Sequence, residues 1–114
     1  MKTFNFKSRY GTEYELAFEK ATYAYFGNLA IEVHCKDKRE RYAFWEPYAT
    51  LTVNLDPVMP NMAYLDSNNV PDLCEFVIDK GWAEKIGEGT SGFCTYPLVL
   101  FTDEFLNDVC EVVE

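Results

Sequence analysis

Three stretches of this chain alternate apolar and polar residues with a period of two, a pattern that builds strands and cannot build an amphipathic helix. Between Glu13 and Glu19, the residues Tyr14, Leu16 and Phe18 share one face, while Glu13, Glu15, Ala17 and Glu19 take the other. Between Leu29 and Cys35, Leu29, Ile31, Val33 and Cys35 alternate with Ala30, Glu32 and His34. The third stretch, Tyr48 to Leu55, turns Ala49, Leu51, Val53 and Leu55 inward and Tyr48, Thr50, Thr52 and Asn54 outward. Its Thr, Val and Tyr also suit a pleated surface. Gly27-Asn28 joins the first two strands, and the charged run Lys36 to Arg41 reads as an exposed hairpin loop.

Breakers and caps place the remaining elements. Asp56-Pro57 and Pro60-Asn61 end the third strand, and Met62 to Leu65 forms a short one closed by Asp66-Ser67-Asn68-Asn69. Pro71 suits the first turn of a helix, where its missing N–H costs nothing. That helix is expected to run to about Lys80 and stop at Gly81, burying Leu73, Phe76 and Val77. Residues 87–92, with three glycines, read as a loop; Phe93 to Phe101 then forms a last strand, with Pro97 marking an edge or a bulge. Thr102 is a good N-cap for a final helix from about Asp103 to Val112. The fold class is therefore α+β: a single domain over 1–114, with an antiparallel β-sheet of about five strands and two short helices.

The chain can bury a real core, since its 114 residues include nine Phe, eight Tyr and two Trp. No run approaches the ~20 apolar residues that span a membrane. The first residues alternate and lack the apolar stretch of a signal peptide, which predicts a cytoplasmic location. Four widely spaced cysteines, Cys35, Cys74, Cys94 and Cys110, then read as small buried hydrophobes.

Charge is polarised along the chain. Residues 1–41 carry eight of the ten basic residues against six acidic ones; residues 42–114 carry only Lys80 and Lys85 against thirteen acidic ones. Phosphate binding requires Lys and Arg, so direct contact of that acidic region with nucleic acid is not expected. Such a field attracts basic partners instead.

Catalytic signatures are absent from the sequence. Residues 87–92 precede a strand, whereas a phosphate-binding loop opens a helix. His34 and Cys35 are adjacent in a strand and point to opposite faces, so they cannot form a dyad. Closely spaced Cys and His pairs of a zinc site are missing, and Asp66 to Asn69 lacks the Gly and Glu of a calcium loop. No cofactor and no metal is expected, and the chain reads as a non-enzyme. The most regular chemistry lies in carboxylates. Asp72, Glu75 and Asp79 fall three and four apart on the first helix, and Glu104, Asp108 and Glu111 repeat the spacing on the second. Glu13, Glu15 and Glu19 add an acidic strand face. Rows of carboxylates without interleaved Lys or Arg resemble the charge pattern of a nucleic-acid backbone; the plain alternative is a solubilising surface.

Several segments taken together carry a family resemblance: Gly27 to Ile31, Glu46 to Leu55, Asp66 to Pro71, and Gly92 to Leu98. Their order resembles a small domain-of-unknown-function family found on conjugative elements and prophages of Gram-positive gut bacteria, over roughly residues 10–101. The Pro47 to Leu55 segment is the most specific part. The charged run at 36–41 is longer than the family pattern. The resemblance implies a setting in which small acidic proteins inhibit host defence, as anti-restriction and anti-CRISPR proteins do. Taken with the charge, it implies a non-enzymatic inhibitor whose partner is the basic surface of a CRISPR effector or restriction complex, reached through Asp72, Glu75, Asp79, Glu104, Asp108, Glu111, Glu13 and Glu15. Two other readings stand beside it: an accessory protein-interaction module using Tyr42, Trp45 and Tyr48, and a metal-dependent nuclease built on converging carboxylates.

Overall fold

The computed structural model describes residues 2–112. The alternating stretches form strands, arranged in two sheets that share one core. The first sheet contains β1 (Phe4–Lys7), β2 (Glu13–Thr22), β3 (Leu29–Asp37) and β4 (Glu46–Thr50), in that order and antiparallel. The second contains β5 (Thr52–Val53), β6 (Met62–Leu65), β7 (Ala83–Ser91) and β8 (Cys94–Phe101), ordered β5-β6-β8-β7. The helix α1 (Pro71–Asp79) lies between β6 and β7 in the chain. It buries Leu73 and Val77 as expected, and Cys74 with them, while Phe76 is only partly buried against the core. The architecture is mostly antiparallel sheet with few helices, broadly α+β.

The expected strand from Tyr48 to Leu55 is two strands in two sheets. Leu51 is the junction: its N–H donates to the Ile31 carbonyl in the first sheet (2.8 Å), and its carbonyl accepts from Asp66 N–H in the second (2.8 Å). Thr52 follows, and it is buried where the alternation placed it outside. Its hydroxyl accepts from Ile31 N–H at 3.2 Å and meets the Tyr23 hydroxyl at 3.0 Å, which satisfies the polar group in the interior. Tyr48 departs from the pattern for a different reason. The register steps from Val33↔Ala49 to His34↔Pro47, so Tyr48 is the extra residue of a β-bulge. The bulge turns its ring inward onto Phe6 and Tyr14, with centroids 6.1 and 5.3 Å away.

Residues 87–92 are not a loop. β7 extends to Ser91, paired with Cys94, and only Gly92-Phe93 turns the chain. Gly92 has φ +61°, a backbone that suits the first position of a tight hairpin turn. Gly89 is required for packing: a Cβ there would stand 2.5 Å from the Tyr64 ring and 2.7 Å from Leu55. Pro97 lies in β8 where β6 no longer pairs, since that ladder covers only Leu98 to Leu100. It is therefore at a local edge, as expected.

The final helix is shorter than the spacing predicts. Thr102 does cap it, its hydroxyl accepting from Phe105 N–H at 3.1 Å. The turn then widens into a π-helix over Phe105–Val109, and Cys110 is already extended (φ −81°, ψ 142°). Cys110–Val112 forms β9, which pairs parallel with β2 at Phe18, Glu19 and Lys20. The cause lies in the first sheet. β1 covers β2 only from Glu13 to Leu16, leaving open edge groups just beyond, and β9 satisfies them. Lys20 Nζ donates to the Leu106 carbonyl at 2.7 Å and ties β2 to the widened turn.

Gly89→Ala should lower stability by roughly 1–3 kcal/mol, because the buried Tyr64 ring, which the new Cβ would meet at 2.5 Å, cannot withdraw cheaply. Gly87→Ala, whose Cβ meets Leu98 at an ordinary 3.7 Å, should instead stabilise by roughly 0.5–1 kcal/mol. Urea unfolding midpoints of the two variants would test the contrast.

Candidate functional site

The carboxylates of α1 do not form one free row. The Asp72 side chain accepts from Arg9 N–H at 2.9 Å and from Leu73 N–H at 3.0 Å, so it ties the start of the helix to the β1–β2 turn. Glu75 and Asp79 are exposed. They line a shallow depression of about 340 Å³ with Asn5, Lys7, Arg9 and Phe76. Two cations from β1 and its turn therefore stand beside a helix face that contains none in sequence.

The second row is broken by the strand β9. Glu104 and Asp108 remain exposed on the helical turn, while Glu111 lies in β9 beside Glu19 of β2. Glu19 in turn faces Glu32 of β3, so three carboxylates stand abreast on the outer face of the first sheet. Like charges in that position repel unless they are engaged. The His34 ring meets Glu19 Oε2 at 3.1 Å, and the Thr50 hydroxyl donates to Glu32 Oε2 at 2.9 Å. Glu13 and Glu15 stand opposite Lys7 and Lys36 in the register, so they belong to a mixed-charge surface.

The fold assembles a different acidic surface. α1 ends, β7 begins and the helical turn follows β8 around Trp82, whose carbonyl accepts from Thr102 N–H at 2.9 Å. Trp82 is buried among Phe4, Phe18, Phe76 and Phe105, with centroids 4.8–5.9 Å away. This convergence brings together the chain segments that carry Asp79, Glu84, Asp103 and Glu104, with Glu75 and Asp108 on the same elements one turn away. All six are exposed. Among the described residues none of them has a cation within salt-bridge distance: of the two lysines in these segments, Lys80 lies over the Phe76 ring at 5.4 Å and Lys85 pairs with Glu88 at 2.6 Å. Glu84 was not visible as a candidate from helical spacing, because its strand partner and not a helix brings it there.

The aromatic candidates divide as well. Tyr42 is exposed, Trp45 is half-buried with Lys36 Nζ 5.9 Å from its ring, and Tyr48 packs inward. Burial and the nearby Asp72 push the Tyr48 hydroxyl up to about 12, so it stays neutral. Tyr10 and Phe44, which lie between strands where periodicity says nothing, are as exposed as Tyr42.

Cys35 and His34 do face opposite sides of β3, one buried and one half-exposed. All four cysteines are free thiols; Cys35, Cys74 and Cys110 are buried and Cys94 is half-buried. Among the described residues no group of three or more His, Cys, Asp or Glu is arranged to hold a metal ion, and no helix is long and apolar enough to cross a membrane.

A family model for a domain of unknown function, DUF4313, matches residues 17–113. No curated protein and no solved structure matches the chain.

Burial pushes the Cys74 and Cys110 thiols up to about 12 from an ordinary 9. Folding therefore favours their neutral forms, and this contribution to stability should be intact below pH 9 and lost as the pH rises towards 12. At pH 8 a thiol reagent such as dithionitrobenzoate should label Cys94 first in the native protein and reach Cys35, Cys74 and Cys110 only on unfolding. Rapid labelling of all four in the native state would contradict the burial described.

Proposed function

The chain belongs to the DUF4313 family, a membership that assigns no activity, and we propose that it is a non-enzymatic inhibitor acting inside a bacterial cell on a nucleic-acid-handling enzyme of host defence, a CRISPR effector or restriction complex. The setting rests on the resemblance to proteins of conjugative elements and prophages. The observation that carries the mechanism is the corner around Trp82, where Glu75, Asp79, Glu84, Asp103, Glu104 and Asp108 are exposed without a cationic partner among the described residues. Unengaged carboxylates of one sign raise the local concentration of a basic surface and speed encounter with it. The same sign keeps nucleic acid out of a groove that the corner occupies.

The contact set therefore shifts from the helical rows. Glu75, Asp79, Glu104 and Asp108 remain in it, and Glu84 and Asp103 join. Asp72 is committed to Arg9, Glu111 is part of β9, and Glu13 and Glu15 lie opposite lysines, so these four are left outside.

The test is a DNA cleavage assay with a purified effector or restriction complex, titrated with the chain across salt concentrations. Inhibition should weaken steeply with salt, and the triple variant Asp79→Lys, Glu104→Lys, Asp108→Lys should require at least about tenfold more protein. Inhibition indifferent to both salt and charge reversal would remove the mimicry mechanism. Cleavage of DNA by the chain alone with magnesium would replace this reading with the nuclease one.

A further inference from the structure

The end of the first sheet opposite to β9 carries the chain's other pole. The β1–β2 turn and the long β3–β4 connection lie side by side there, because β1, β2 and β3 are consecutive antiparallel neighbours. Lys38 ties the second of these to the strands flanking the first: its N–H donates to the Glu13 carbonyl of β2 at 3.2 Å, and its Nζ donates to Asn5 Oδ1 of β1 at 2.9 Å. Arg9, Arg39 and Arg41, the only arginines in the chain, all fall at this end. Three aromatic side chains stand out among them, with Tyr10 81%, Tyr42 78% and Phe44 82% exposed. Arg9 lies 5.1 Å from the Tyr10 ring centre and Arg41 5.5 Å from that of Tyr42.

Among the described residues, Asp37 is the one carboxylate of this end held in an ion pair, and Arg9 also lines the depression that contains Asp72, Glu75 and Asp79. Arg39 grips Asp37 through Nε at 3.1 Å and Nη2 at 2.8 Å, and Glu13 stands opposite Lys7. Glu40 and Glu46 line a cavity of about 270 Å³ with Tyr14, Phe44 and Tyr48. The guanidiniums of Arg9 and Arg41 have no carboxylate within salt-bridge distance among the described residues. Exposed rings at this density mark a contact surface. Free guanidiniums beside them select an anionic partner, and flat rings on separate loops select one with stackable faces.

We propose that this arginine–aromatic end binds single-stranded nucleic acid, its rings stacking on bases and Arg9 and Arg41 meeting the phosphates. The absence of nucleic-acid contact expected from charge then holds for the acidic region and not for this end. The inference is independent of the inhibitor reading, since it uses other residues and needs no defence enzyme.

Fluorescence anisotropy with a labelled thymidine oligomer of about 15 nucleotides tests it. Binding should saturate at low salt and fall as salt rises. The double variant Tyr42→Ala, Phe44→Ala should weaken it about tenfold or more, and Arg9→Ala, Arg41→Ala should flatten the salt dependence. All four side chains are displayed outside the core, so circular dichroism and urea midpoints should stay unchanged and certify the folds. Charge reversal of Asp79, Glu104 and Asp108 should leave this binding intact. No binding at low salt, binding that survives loss of the rings, or stronger binding to a duplex or to anionic lipid vesicles would each overturn the proposal.

Discussion

One backbone unit holds the two sheets in register. Leu51 gives its N–H to β3 of the first sheet and its carbonyl to the residue after β6 of the second, and its side chain is completely buried between them. A chain that changes sheets must satisfy every buried polar group at the crossing. Here Thr52 completes the set by accepting from Ile31 and meeting Tyr23. Nearby, the buried Asn28 side chain donates to Asn54 Oδ1 at 3.0 Å and the Asp56 carbonyl at 2.8 Å, and accepts from Val58 N–H at 3.2 Å. The Gly27-Asn28 turn is thus also the anchor for the segment leaving β5.

Trp82 does for the other side what Leu51 does for the crossing. It gathers Phe4 from β1, Phe18 from β2, Phe76 from α1 and Phe105 from the last helical turn into one aromatic cluster. Phe101 stacks on Phe105 at 4.9 Å and extends the cluster into β8. Aromatic pairs in edge and offset contact contribute beyond their buried area, so this cluster can hold the chain ends that carry the acidic corner. The corner's repulsion acts between side chains in high-dielectric solvent, where each pair costs about 1 kcal/mol or less. Burial of the rings beneath it outweighs that cost.

Alternation made β2 and β3 legible, although Ala17 and Ala30 are buried where it placed them outward; flanking breakers placed β6, and Pro71 with Gly81 bounded α1. The reading failed where the environment changes within a few residues. Tyr48 to Leu55 alternates as one strand, yet Leu51 exchanges sheets, and neither the bulge at Tyr48 nor the burial of Thr52 leaves a periodic trace. Gly87 and Gly89 read as loop because glycine is a poor strand former; a need for space beside Tyr64 and Leu55 is a tertiary fact. The spacing of Glu104, Asp108 and Glu111 is helical, but the open edge of β2 lies about ninety residues earlier in the chain and captures the last of them. The acidic character of the region survived these errors, while the grouping of its carboxylates did not.

Net charge describes this molecule poorly, because its two signs are concentrated at separate places and meet in the depression that Lys7 and Arg9 share with Glu75 and Asp79. Glu13, at the arginine–aromatic end, and Glu19, where β9 joins, are about 20 Å apart along β2 at ~3.3 Å per residue. At physiological ionic strength the screening length is about 8 Å. A phosphate or a lysine approaching either pole is governed by the charges within that distance and hardly by the total of −9. The arginines can therefore keep an anionic contact in a strongly acidic protein, and the corner around Trp82 can keep its field although cations exist elsewhere in the chain. Lys7 and Arg9 sit between the two, beside Glu75 and Asp79 in the same depression. They set the boundary at which one field gives way to the other.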